Sequence, residues 1–150
     1  MRLSLQLTLL LFSLFLILIS CKKNDNVHSA SPGVNVYISG TDNNDAVYWK
    51  NNTEVHLTNS NSNAYSSSIF VTPNNDVYVA GGQVTSGSSL AAYWKNGQVN
   101  YLTDSGAFVG LNYISVSGND VYTAGLIEKM SNIRHAAYWK RCAIRLCKCQ

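Results

Sequence analysis

Between residues 33 and 140, apolar and polar positions alternate in short runs separated by turn residues. No stretch there repeats its apolar positions at helical spacing. Side chains that alternate in this way line opposite faces of an extended backbone, so the pattern predicts β-strands. One unit reads as four strands. The first is "SSIFV" (67–71), followed by "TPNND", where Pro73 and the Asn and Asp residues favour a tight reversal. The second is "VYVAG" (77–81), ended by Gly81. The third is "LAAYWK" (90–95), closed by Asn96-Gly97, a dipeptide that accepts the two positive φ angles of a two-residue hairpin. The fourth is "QVNYLT" (98–103).

The unit recurs. "VYISG" (36–40), "VYVAG" (77–81) and "VYTAG" (121–125) are followed by "AVYWKNN" (46–52), "AAYWKNG" (91–97) and "AAYWKR" (136–141). Trp49, Trp94 and Trp139 stand 45 residues apart, each preceded by a tyrosine (Tyr48, Tyr93, Tyr138) and by an earlier glycine (Gly40, Gly81, Gly125). Four antiparallel strands in roughly 40–45 residues is the size of a β-propeller blade. The repeated "DVYVAG…AAYWKNG…LT" resembles the repeats of bacterial β-propeller lipoproteins of uncharacterised function, over residues 33–140. The expected fold is therefore all-β: an incomplete β-propeller of two to three four-stranded antiparallel blades after an N-terminal signal segment. The first unit lacks an opening strand and the third a closing one, which leaves sheet edges unpaired. A tryptophan that recurs with the same neighbours serves the repeated contact between sheets. A sugar-stacking platform is the alternative for the Tyr-Trp pairs.

The chain opens differently. Met1-Arg2 precedes "LSLQLTLLLFSLFLILIS", which carries no charge, and Cys21 follows. A basic start, an apolar stretch and a small residue before a cut describe a secretory signal peptide. Leu18, Ser20 and Cys21 resemble the lipobox of bacterial lipoproteins, in which the cysteine thiol is acylated and becomes the new N-terminus. An uncleaved transmembrane anchor stopped by Lys22-Lys23 is the alternative. The resemblance implies residues 1–20 as the signal peptide, lipidation at Cys21, a polar tether over 21–32 and the repeats over 33–140. Two or more acyl chains hold a protein firmly on a bilayer. The expected location is the bacterial cell envelope, at the outer membrane of a Gram-negative cell.

Charge removes one class of function. The whole chain has a net charge of +3. Between Cys21 and Lys140, however, seven basic residues face eight acids, so the body carries about one negative charge and no basic stripe. Nucleic acid is therefore not an expected partner.

Candidate chemistry is sparse. His28, His56 and His135 are isolated from one another, and "TDNND" (41–45) lacks the glycine and distal glutamate of a calcium loop. No Gly-x-Ser-x-Gly elbow occurs. No catalytic, metal-binding or cofactor-binding residue is assigned, and no cofactor is expected. After Lys140 the composition changes at once to "RCAIRLCKCQ". Cys142, Cys147 and Cys149 form no Cys-x-x-Cys pair. An aberrant tail over 141–150, produced by a shift of reading frame, is the expected explanation.

The functional expectation is a lipid-anchored envelope scaffold that binds a glycan or protein through its variable rim. The segments between second and third strands differ ("TDNND", "GQVTSGSSL", "LIEKMSNIRH"), whereas the turns on the other rim are alike. The alternatives are a fragment of a secreted propeller enzyme, such as a hydrolase or lyase, and a truncated product without a function of its own.

Overall fold

A computed structural model of the chain describes residues 33–86, 88–103, 108–129, 133–140 and 143–146. The chain divides into two compact units, Met1–Val34 and Asn35–Gln150. The signal segment over 1–20, the 21–32 tether with Cys21 and His28, and Cys142, Cys147 and Cys149 lie outside the described residues.

The described elements are eleven strands in three antiparallel meanders. The first sheet holds β1 (Tyr37–Asp42), β2 (Asp45–Lys50) and β3 (Thr53–His56). The second holds β4 (Ala64–Val71), β5 (Val77–Thr85), β6 (Ser88–Lys95) and β7 (Gln98–Tyr101). The third holds β8 (Phe108–Ser117), β9 (Asp120–Lys129), β10 (Ile133–Lys140) and β11 (Ala143–Leu146). The all-β expectation holds, with three or four strands in each sheet, and none of the three sheets is closed on itself.

One expectation is corrected. The third sheet does have a closing strand, because β11 pairs with β10 from Lys140↔Ala143 to Ala137↔Leu146. The register is that of Lys95↔Gln98 in the second sheet and Lys50↔Thr53 in the first. An open sheet edge offers backbone donors and acceptors that any extended segment can meet, whatever its side chains. The change of composition after Lys140 therefore did not reveal the strand.

The glycines also do something other than end strands. β5 continues past Gly81 to Thr85, and β9 past Gly125 to Lys129. Each lies opposite a bulge, at Ser66/Ser68 on β4 and at Leu111/Tyr113 on β8. A Cβ on Gly81 would run into the Tyr65 carbonyl, and one on Gly125 into the Gly110 carbonyl. Bulges bring one backbone close to its neighbour, and only glycine leaves room for it. At Gly40 the obstacle is the Trp49 ring, 2.9 Å from where a Cβ would stand.

The repeated "LT" closes the first two units by hydrogen bonds. The Leu57 and Leu102 amides donate to the carbonyls of Ala46 and Ala91. In return the Ala46 and Ala91 amides donate to the Thr58 and Thr103 hydroxyls. Two-residue hairpins are built as expected, with positive φ at Asn51 and Asn52 and at Asn96 and Gly97.

Two buried clusters lie between the sheets. Trp94 packs with Ala46, Leu57, Ala64 and Val79, between the first and second sheets. Trp139 packs with Tyr78, Ala80, Ala91 and Leu102 of the second sheet and with Leu111 and Ile114 of the third. Each of these tryptophans thus covers the sheet that precedes its own. Tyr93 packs on the opposite face of the second sheet, toward the third, and Tyr48 on the face of the first sheet toward the second.

Candidate binding site

Antiparallel meanders put alternate turns on opposite rims. One rim carries the short turns β2–β3, β4–β5, β6–β7 and β8–β9. The other carries the links between sheets and the β1–β2, β5–β6 and β9–β10 hairpins. The segments read from sequence as variable loops on this second rim are largely strand. β5 and β6 pair out to Thr85↔Ser88, and β9 and β10 out to Lys129↔Ile133. The rim therefore differs between units in how far its β-ribbons project. Polar residues at their tips hid the strand pattern from the sequence.

Where the β5–β6 ribbon meets β8 and the β9–β10 ribbon, the surface forms an open cavity of about 430 Å³. Its lining includes Tyr65, Val84, Phe108, Leu126, Glu128 and Arg134. The Phe108, Leu126 and Val84 side chains are exposed in its walls. The Ser89 hydroxyl ties the two sheets together there: it donates to the Val109 carbonyl at 2.8 Å and accepts from the Val109 amide at 2.6 Å. The Tyr65 hydroxyl donates to the same carbonyl at 3.2 Å. Burial pushes the Tyr65 hydroxyl pKa upward, so it remains a neutral donor. At the margin Arg134 Nε donates to Glu128 Oε2 at 2.8 Å, and that partnership raises the guanidinium pKa further. The result is an apolar wall with an ion pair at its edge, within the size range of small-ligand sites.

None of the six lining residues named belongs to the repeated signature. At matching register positions Leu126 stands where the second sheet has Gly82, Glu128 where it has Val84, and Arg134 where it has Ser89. Tyr65 and Phe108 were not picked out by sequence reasoning. The signal was available, since both are aromatics outside the repeat, but only the fold brings them to one place.

Trp94, Trp139, Tyr48 and Tyr93 of the predicted repeat residues lie in the packing between sheets, whereas Tyr138 is exposed. Trp94 and Trp139 are buried between sheets, and half-buried Trp49 donates from Nε1 to Glu54 Oε2 at 3.2 Å. The Tyr-Trp pairs are not gathered into one platform, because adjacent residues on a strand point to opposite faces. His56 lies 3.2 Å from Glu54 at an exposed site, and His135 is exposed on β10. In "TDNND", Asp45 accepts hydrogen bonds from the Ser62 amide and hydroxyl, each at 3.0 Å. Asp42 accepts one from Asn43. Among the described residues no three His, Cys, Asp or Glu side chains gather into a metal-ligand cluster.

Comparison with protein-family models, with curated proteins and with solved structures finds no match to this chain.

Proposed function

We propose that this chain is an exported bacterial lipoprotein, anchored through acylated Cys21, whose propeller-type repeats carry a ligand site on the variable rim. The observation that carries the reading is the cavity of about 430 Å³, built from residues that the repeat does not need. A repeated scaffold with one uniform rim and one divergent rim concentrates recognition on the divergent one. An exposed phenylalanine beside an ion pair suits a ligand with one apolar face and one polar edge, such as a saccharide ring. The lipobox-like Leu18–Cys21 segment and the polar stretch after it support placement at a membrane surface.

The ligand test is a glycan array probed with the full chain in mild detergent. Selective retention that is lost in Phe108→Ala and weakened in Arg134→Ala supports the reading. Retention unchanged by both substitutions, or none at all, removes it. The anchor is tested separately by labelling growing cells with an alkyne fatty acid. Label on the wild type and none on Cys21→Ser is the expected result, and an unlabelled wild type overturns it.

A further inference from the structure

The two outer faces of the three-sheet array are halves of the same contact that joins the sheets inside it. On the face toward the preceding sheet, Val79 stands beside Trp94, Thr123 beside Trp139 and Ile38 beside Trp49. Val79 is 0 % exposed and Thr123 2 %, but Ile38 is 57 % exposed. Val36 is likewise exposed, whereas Val77 and Val121 at the same position are buried. The first sheet therefore leaves exposed the face that is covered on the second and third sheets. At the other end, Ala46 and Ala91 are buried under the following sheet, while Ala136 at the matching position of the third sheet is exposed. Tyr138, the counterpart of Tyr48 and Tyr93, is 41 % exposed, and Tyr113 and Leu126 on the same face are exposed too.

These two faces differ from each other, and each matches the other's internal partner. The Trp49 face is built to lie on a Tyr138-type face, as Trp94 lies on the Tyr48 face and Trp139 on the Tyr93 face. We infer that a second copy of this chain supplies the missing partner, with the third sheet of each copy packed against the first sheet of the other. Such a contact is heterologous, and a heterologous contact ends only when it closes a ring. The described residues of one chain form three sheets, so those of two copies form six, which falls within the four to eight blades of closed propellers. Apolar faces exposed in one copy are then buried twice over, once at each junction. This inference extends the propeller reading of the repeats; it shares Leu126 with the proposed ligand site, but mass spectrometry reads assembly and the glycan array reads the ligand, so the two readings fail separately.

The test is native mass spectrometry of the full chain from mild detergent, under reducing conditions so that cysteine cross-links do not count. The variants are Ile38→Asp and Tyr138→Asp. Both side chains are exposed in the single chain, and far-UV circular dichroism checks that each variant keeps its sheet content. The expected result is a dimer for the wild type, monomers for each variant alone, and a dimer again when the two variants are mixed. Mixing restores one junction between two unmutated faces and leaves the doubly altered junction open. A monomeric wild type overturns the inference. So does a dimer sensitive to only one substitution, which would mean a like-on-like contact, and so does growth beyond two copies.

Discussion

The ammonium of Lys95 lies 5.3 Å from the centre of the Tyr78 ring, directly across the β5–β6 ladder. The same pair recurs as Lys50 over Tyr37 and Lys140 over Tyr122, each at 5.5 Å and each at opposed register positions. The lysine of "YWK" and the tyrosine of "VY" are thus one feature, a cation held over an aromatic face. Lys95 is also paired with Asp76 at 3.3 Å. Replacing Lys95 by Met keeps the stem over the ring and removes the charge. The expected outcome is a small fall in Tm whose size shrinks as salt approaches about 1 M, where screening reaches within contact distance. Thermal melts of both proteins at low and high salt check it.

The tryptophans should not be equivalent. Trp94 and Trp139 are buried between sheets, and Trp49 is half-buried on an outer face. Trp94→Ala and Trp139→Ala should each cost about 3–5 kcal/mol, as for other buried aromatic truncations. Trp49→Ala should cost clearly less in the single chain. Urea unfolding of the three variants at equal protein concentration ranks them. Equal losses at all three positions would contradict the packing described.

Why some of this was legible in the sequence, and some not, follows from what repeats. Strand period, hairpin dipeptides and the 45-residue spacing of the tryptophans are properties of short segments, and all-β meanders follow from them. The role of Trp94 between sheets was readable because recurrence marks a shared contact. The cavity was not, because Tyr65 and Phe108 come from different sheets and belong to no pattern. The strand β11 was missed because backbone pairing at an edge makes few demands on side chains. The continuation of β5 and β9 past their glycines was missed because a bulge on the neighbouring strand, invisible in sequence, is what makes those glycines necessary.

The bulges give a sharp contrast among glycines. A Cβ on Gly81 or Gly125 meets backbone carbonyl groups of the neighbouring strand, which cannot turn aside without breaking the ladder. Among the described residues, a Cβ on Gly110 meets nothing within 4 Å. Gly81→Ala and Gly125→Ala should each cost about 1–3 kcal/mol or more, the range for forced overpacking. Gly110→Ala should be nearly neutral. Chemical unfolding of the three variants, compared with the wild type, checks both halves of the contrast.

Thr123 offers a gain. Its side chain is buried, its hydroxyl has no hydrogen-bond partner among the described residues, and the matching position in the second sheet holds Val79. An unpaired buried hydroxyl carries its desolvation cost without a compensating bond. Thr123→Val keeps the shape and removes the cost, so it should stabilise the protein by about 1 kcal/mol and raise Tm by a few degrees. A fall in Tm by differential scanning calorimetry would show that the hydroxyl is in fact paired.

The link between the first and second sheets makes stability depend on acid. Asp45 holds that link by accepting the Ser62 amide and hydroxyl hydrogen bonds. The Ser62 amide, more than any other group, holds the Asp45 carboxyl below its ordinary value of 3.8, against the opposing effect of burial. A carboxyl whose pKa is lower in the folded than in the unfolded chain adds stability that is fully present above the unfolded value. That stability is lost as pH falls through the folded one. Asp76 acts in the same direction, held down first by the Asn96 side chain and then by Lys95. The wild type should therefore lose Tm steadily from about pH 5 downward. Asp45→Asn keeps an acceptor oxygen for Ser62 but cannot titrate. Its Tm should lie below the wild type at pH 7, and the gap should narrow toward pH 3. Melting curves of the two proteins across that range decide the point, since a gap that stays constant would mean that the Asp45 charge takes no part in holding the link.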